Sequence, residues 1–200
     1  MRKIIIKYTL LVVLFFAVTT NSSAQFEQKL TLQGSGGLVL GLAPESFVDI
    51  FNVGFSVDAG VQYNFSRTFS VVAMAKYATY FFTPEDEFSL ETAKFNQLGI
   101  SVCPKIRFFP RSRVNPYLFG GASINHIVIS FSMEGEETRS KDEPISLGAI
   151  AGAGIDFRIN DNIALFWQLG LNRVDFDVVY IDAFFQQVGL NINLFKSKSL

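Results

Sequence analysis

Few side chains in this sequence are placed to carry out chemistry. His126 is the one histidine, three aliphatic residues follow it, and Ser130 falls on the same strand face. A serine hydrolase needs its hydroxyl and imidazole within hydrogen-bonding distance, so we interpret His126 as a structural or rim residue. Cys103 is also alone, which excludes an intramolecular disulfide and a cysteine-based zinc cluster. We therefore predict no catalytic residue, no metal site and no cofactor.

Glycine groups and acidic segments are the other candidate binding features. The glycines at 34, 36 and 37 and at 148, 152 and 154 lack the strand-to-helix context and the Lys-Ser or Lys-Thr pair of a phosphate loop. The acidic segments could hold calcium or bridge lipopolysaccharide through divalent ions, although charged loops are usually just solvated. A net charge of -1 and a pI of about 5.8 give no indication of a nucleic-acid partner.

The first residues predict export from the cytoplasm. A basic start at Arg2 and Lys3 precedes an apolar stretch, and small residues, Ser22 and Ala24, occupy the -3 and -1 positions before Gln25. This pattern is typical of a secretory signal peptide, which we assign to residues 1–24. The apolar stretch is short for a transmembrane helix, and no stop-transfer pattern follows it, so a retained anchor is disfavoured.

The remaining sequence alternates between apolar and polar residues. Hydrophobic residues make up 49% of the chain and charged residues 18%, yet no apolar run after the N-terminus is long enough for a membrane helix. From Asn52 to Phe65 each odd position is apolar or aromatic, and each even position is polar or glycine. A strict period of two predicts a strand with one apolar and one polar face.

The same pattern predicts eight strands joined alternately by short and long connections. The long connections hold most acidic residues, and we expect the segment Phe131 to Pro144 to be an exposed, mobile loop. Short turns on one rim and long loops on the other are typical of an antiparallel up-and-down transmembrane β-barrel, here residues 25–195 with a tail at 196–200. The expected strands are Leu30 to Leu40, Asn52 to Phe65, Phe69 to Phe81, Gln97 to Phe108, Tyr117 to Ile129 (phase open), Ile145 to Phe157, Ile163 to Leu171 and Phe184 to Phe195.

Alternation alone does not say which face is inside, because a soluble barrel with an apolar interior alternates too. The polar face is mainly Gly, Ser, Asn and Gln, whereas a water-facing surface would be richer in Lys and Glu. Aromatic residues also gather near one rim, as an interfacial girdle requires. They are Tyr63, Phe65, Phe69, Phe108, Phe157 and Phe195. We therefore expect the apolar face to meet lipid, and small glycines to lie inside.

Charged residues on the polar face would then lie in the lumen. Pairing Phe65 with Phe69 across the Ser66-Arg67 turn sets Asp58 opposite Lys76. Inward charges must pair or be hydrated, because an isolated buried charge is costly. The set is either an ion-paired structural plug, which we favour, or a polar conduit. Its members are Asp58, Lys76, Lys105, Arg107, Asp156 and Arg158, the last four nearer the rim with the short turns.

The central segment carries a family resemblance. The run from Leu98 to Phe109 and the following run from Asn115 to Ala122 resemble the fourth strand, turn and fifth strand of the outer-membrane β-barrel domain family typical of Bacteroidetes. That family is distantly related to the OmpA, OmpX and OmpW barrels, and the resemblance covers nearly the whole mature chain. It implies a porin-like barrel in a Gram-negative outer membrane. Pro104, within the fourth strand, suggests a local bulge.

The end of the chain resembles the signal read by barrel-assembly machinery, which the resemblance makes a partner during biogenesis. The pattern is a polar residue, a glycine and spaced apolar residues, namely Gln187, Gly189, Ile192, Leu194 and Phe195. Many family members finish on the aromatic residue, whereas this chain continues for the five residues from Lys196 to Leu200. We expect that tail to be dispensable.

Together these features predict a non-enzymatic integral outer-membrane protein with both termini periplasmic. Its expected role is structural within the envelope, interaction at the cell surface or limited passage of small solutes. Its expected surroundings are outer-membrane lipid and lipopolysaccharide, with the surface or export partner unidentified. The alternatives are an outer-membrane enzyme that modifies lipid and an accessory of protein export.

Overall fold

The computed structural model describes residues 30–82, 90–133, 139–160, 162–176 and 179–194. The predicted signal peptide, residues 1–24, and the predicted tail, residues 196–200, lie outside them. The elements in chain order are β1 (Leu30–Ala43), α1 (Glu45–Val48), β2 (Val53–Asn64), β3 (Phe69–Tyr80), β4 (Leu90–Arg107), β5 (Val114–Met133), β6 (Arg139–Arg158), β7 (Ile163–Phe176) and β8 (Val179–Asn193).

The described strands form a closed antiparallel barrel in the order β1 to β8. Each strand pairs with its neighbours in sequence, and β1 also pairs with β8 over Thr31 to Ala43, which closes the sheet. Closure leaves no free edge where all eight described strands pair, whereas β6 before Gly148 pairs with β5 alone. The predicted eight-stranded up-and-down barrel is therefore confirmed.

The two rims of the barrel differ in their connections. We call the rim with the tight connections after β2, β4 and β6 the turn end, and the opposite rim, which carries α1, the loop end. At the turn end, the amides of Phe65 and Ser66 both donate to the Phe69 carbonyl, at 3.1 and 3.0 Å. This turn sets the predicted register, in which Asp58 lies opposite Lys76 and Ala59 opposite Ala75. That register is confirmed.

Strands β4, β5 and β6 extend beyond their predicted bounds toward the loop end. Strand β5 has 20 residues where β3 has 12. The prediction of a loop from Phe131 to Pro144 is wrong over much of its length, because Phe131–Met133 end β5 and Arg139 begins β6. A register shift in the β5–β6 ladder between Asn125 and Ile127 breaks the alternation that sequence analysis relies on. Backbone pairing continues past it, since ladder hydrogen bonds do not require apolar side chains.

The outer face of the barrel is apolar, as predicted for a wall that meets lipid. Side chains such as Leu98, Ile100 and Leu118 are more than half exposed along the strands. The predicted aromatic girdle at the turn end is present in part. Tyr63, Phe65, Phe108 and Phe157 are exposed, Phe69 is buried against the Phe65 ring, and Phe195 lies outside the described residues.

Pro104 produces no bulge. It pairs with Val71 of β3, and the β4–β5 register is the same on both sides of it, Val102 opposite Ala122 and Lys105 opposite Phe119. Pro104 therefore lies across from Gly120. The strand is continuous through the proline.

Candidate functional site

The inner face of the barrel is the candidate functional site, and its character changes along the barrel. The half toward the turn end, the polar half, holds the buried charges together with many of the buried amides and hydroxyls. The half toward the loop end holds most of the buried aliphatic and aromatic side chains, such as Val39, Phe95 and Phe185, beside a smaller polar group that includes Gln97 and Asn125. The apolar lining of the second half was not anticipated as a whole, although the alternation puts Tyr80 of β3 on the inner face.

A charged cluster lies at the centre of the polar half. The Asp156 carboxylate of β6 accepts from Lys105 Nζ at 3.1 Å and from Arg107 Nε at 3.3 Å, both on β4. Asn191 Nδ2 of β8 donates to the same carboxylate at 3.2 Å. Lys105 Nζ also lies 3.6 Å from the centroid of the Tyr117 ring. We call Lys105, Arg107 and Asp156 the charged cluster.

Amide side chains extend the charged cluster around the barrel wall. Arg107 Nη1 donates to Asn64 Oδ1 at 3.1 Å, which joins β4 to β2. On the other side, Tyr117 Oη donates to Gln168 Oε1 at 3.1 Å, and Gln168 Nε2 donates to Gln187 Oε1 at 2.8 Å. Most buried donors and acceptors are thereby satisfied, so the polar half behaves as a structural network.

Asp58 and Lys76 lie opposite each other in adjacent strands, but they use other partners. One Asp58 carboxylate oxygen accepts from Gln187 Nε2 at 2.6 Å, and the other has no hydrogen-bond partner among the described residues. Lys76 Nζ lies 4.8 Å from the centroid of the Phe185 ring. The predicted register therefore places the two charges together without making them a contacting pair.

Arg158 does not join the lumen set in which the sequence analysis placed it. It is exposed at the end of β6, and its Nη2 donates to the Pro110 carbonyl at 3.0 Å. The side chain turns to the rim because β6 ends there and the β4–β5 turn offers a carbonyl oxygen. The prediction that Arg158 lies in the lumen is therefore wrong.

An aromatic cap closes the loop end of the lumen. It consists of Phe47 and Phe51, in and just after α1, with Tyr80 of β3 and Phe95 of β4. The Phe47 and Phe95 rings are 5.0 Å apart at 75°, and the Tyr80 and Phe95 rings 5.2 Å apart at 89°. These edge-to-face arrangements are favoured between aromatic side chains. All four residues are buried.

Inward-facing glycines make room for the rings between the two halves. A Cβ on Gly152 would lie 2.7 Å from Phe119 Cζ, and one on Gly170 would lie 2.7 Å from Phe185 Cζ. Alternating large and small residues is how a small barrel fills its interior. Gly152 therefore has the packing role that was expected for glycines inside the barrel, in place of phosphate binding.

The residues considered for chemistry do not come together. His126 and Ser130 both face outward on β5, four residues apart, a separation of about 13 Å along a strand. Cys103 is fully buried inside the barrel. In the part of the chain that the structure describes, no three His, Cys, Asp or Glu side chains group to hold a metal, and no helix is long and apolar enough to cross a membrane.

The residues of the proposed assembly signal fall on both faces of the last strand. Gln187 is buried in the polar network, and Gly189 faces inward, where a Cβ would lie 2.6 Å from Phe166 Cε1. Ile192 and Leu194 are exposed on the outer face, and Phe195 lies outside the described residues. Gln187 and Gly189 thus have a local packing reason for their identity.

A family model described as outer membrane protein beta-barrel domain matches residues 16–176. No curated protein sequence gives a significant match.

Several solved structures share the fold at low sequence identity. Neisserial surface protein A (NspA) superposes with a TM-score of 0.58 at 15% identity, over 85% of this chain and 100% of that one. A major outer membrane protein from Thermus thermophilus gives 0.56 at 11% identity, over 83% and 98%. Ail, the attachment invasion locus protein of Yersinia pestis, gives 0.51 at 13% identity, over 84% and 100%. At these identities the likeness concerns the fold alone.

Proposed function

This chain belongs to the outer membrane protein β-barrel domain family, and from that premise we propose that it is a non-enzymatic barrel that does not conduct. Its role is then structural within the envelope and interactive at the cell surface. The observation that carries this proposal is the filled lumen. The charged cluster obstructs one half and the aromatic cap the other, so a solute would meet two barriers in series.

The interior dimensions support a closed barrel. Eight strands leave space only for the side chains that point inward. Lys105 is 2% exposed and Phe95 is 1% exposed, which are values of a protein core rather than of a water-filled channel. Moving the charged cluster aside would separate buried charges from their partners, at a cost of several kcal/mol.

The proposed orientation places the turn end in the periplasm and the loop end outside the cell. Short periplasmic turns and longer extracellular connections are the rule for such barrels. Both ends of the described chain lie at the turn end, where the Leu194 amide donates to the Leu30 carbonyl at 3.1 Å. Removal of residues 1–24 by signal peptidase and recognition of β8 by the assembly machinery belong to the same proposal.

Surface interaction would then be carried by the long strands. Through the β3–β4 and β4–β5 ladders, Ile129 of β5 lies across from Tyr80, the last residue of β3. The four residues of β5 that follow Ile129 add about 13 Å of strand beyond the shorter part of the wall. Phe131 and Ile129 pack inward there against the core, which stiffens the projecting β5–β6 hairpin. A stiff hairpin of this kind offers backbone and side chains to a partner outside the cell.

Planar-bilayer recording tests the central claim. The mature protein, refolded and checked for heat-modifiable gel mobility, should give no stable single-channel currents. Bilayers that receive detergent without protein serve as the negative control, and a known general porin serves as the positive control. Stable, large unitary currents from the unmodified protein would overturn the closed barrel and favour solute passage instead.

A further inference from the structure

Four exposed arginines lie at the turn end. They are Arg67 in the β2–β3 turn, Arg111 and Arg113 in the β4–β5 turn, and Arg158 at the end of β6. We call these four residues the arginine rim. They are separate from the charged cluster, whose cations are turned inward onto Asp156.

Backbone hydrogen bonds hold the three segments of the arginine rim side by side. The Arg107 amide donates to the Thr68 carbonyl at 2.8 Å, which joins the β2–β3 turn to the end of β4. The Arg158 amide donates to the Arg113 carbonyl at 2.8 Å, and its guanidinium to Pro110. The positive charges therefore occupy one continuous sector of the rim.

Within the described residues of these three segments, no carboxylate balances the arginine rim. The turns at 65–68 and 108–113 and the strand end at 158–160 contain no Asp or Glu, and Asp161, the next residue along the chain, lies outside the described residues. Asp156, the nearest acidic residue before them along β6, is buried and already bonded to Lys105 and Arg107. Four like charges at one exposed rim repel one another unless an anion lies between them.

Aromatic side chains fix the level of this rim relative to a membrane. Phe65, Phe108, Phe109 and Phe157 are between 42% and 62% exposed and lie within one to three residues of an arginine of the rim in sequence. Aromatic belts mark the boundary between hydrocarbon and headgroups. The guanidinium groups a few residues further on thus reach the depth of lipid phosphates.

We propose that the arginine rim binds the phosphodiester groups of anionic phospholipids, such as phosphatidylglycerol. The planar guanidinium offers paired donors that match phosphate oxygens, and it remains charged at any physiological pH. A zwitterionic headgroup carries a compensating ammonium or choline and would be held less strongly. The barrel would thereby select a shell of anionic lipid in the leaflet that meets its turn end.

Lipid association with the refolded, full mature chain tests this. Nanodiscs containing phosphatidylcholine with about one third phosphatidylglycerol are compared with pure phosphatidylcholine, and retained lipid is counted by native mass spectrometry. The unmodified protein should retain phosphatidylglycerol preferentially. In the variant Arg111→Gln/Arg113→Gln, the ratio of retained phosphatidylglycerol to phosphatidylcholine should fall about fivefold for each arginine removed. Added salt should lower the same ratio in the unmodified protein.

The matched control is Lys94→Gln, which removes an exposed cation from the other end of the barrel. It should leave the preference unchanged, and heat-modifiable mobility establishes that each variant is folded. Equal retention of the two lipids by the unmodified protein, or full preference in the double arginine variant, would overturn the proposal. Symmetric nanodiscs make the result independent of orientation and of lumen conductance, so failure here would leave the proposed function standing.

Discussion

Replacing Asp156 with asparagine should strongly destabilise the barrel. Asparagine has nearly the same shape and keeps an acceptor for Asn191, but it removes the negative charge 3.1 Å from Lys105 Nζ and 3.3 Å from Arg107 Nε. The Lys105 side chain is only 3% exposed, so its ammonium cannot regain water without moving strands. Breaking a buried pair in this way costs about 3 to 5 kcal/mol.

Urea unfolding in lipid vesicles measures this cost. Trp167 is the one tryptophan of the chain and lies on β7, so the change in its fluorescence follows unfolding of the barrel without a further label. The double variant Asp156→Asn/Lys105→Met should recover at least half of the loss, because it removes the stranded ammonium and leaves a side chain that packs. The two single variants and the double variant form a mutant cycle for this pair.

Asp182→Asn provides the matched control. Asp182 accepts from Arg173 Nε at 2.6 Å, but that pair lies at the surface with the arginine side chain 60% exposed. Exposed pairs add little to stability, so the unfolding midpoint should stay within error of the unmodified protein. If Asp156→Asn behaved like this control, or if the double variant were as unstable as the two single losses added, the charged cluster would not be the structural plug inferred here.

Three further predictions concern packing, the last strand and orientation. Gly152→Ala should lower the free energy of unfolding by about 1 to 3 kcal/mol in the same assay, because the added methyl group overpacks the interior. Gly120→Ala should be neutral, because a Cβ there has no neighbour closer than 3.5 Å. Equal effects of the two variants would contradict the packing argument. Deletion of residues 196–200 should leave assembly intact in a membrane fraction, and Leu194→Asp should impair it; equal assembly would remove the role given to the last strand. An epitope at Glu137 should be reached in intact cells, and detection only after the outer membrane is opened would reverse the orientation.

The sequence alone was sufficient for most of the barrel wall. Alternation from Asn52 to Phe65 identified β2, and the Ser66-Arg67 turn set its pairing with β3, because a period of two leaves only one register that keeps both apolar faces together. The glycine-rich polar face was correctly assigned to the interior. These properties are local, since they depend on neighbouring residues and on the turn between them.

The tertiary structure decided what meets inside the barrel. The sequence placed Lys105, Arg107 and Asp156 nearer the same rim, but alternation does not say which side chains touch across strands that do not pair, and Asp156 lies two strands from Lys105. Closure of β1 on β8 and the stagger of the strands brought this one carboxylate to two cations and turned Arg158 out to the rim. The aromatic cap was not predicted from the sequence for the same reason. Alternation puts Tyr80 on the inner face, but only the return of α1 over the loop end gives it and Phe95 a buried partner in Phe47.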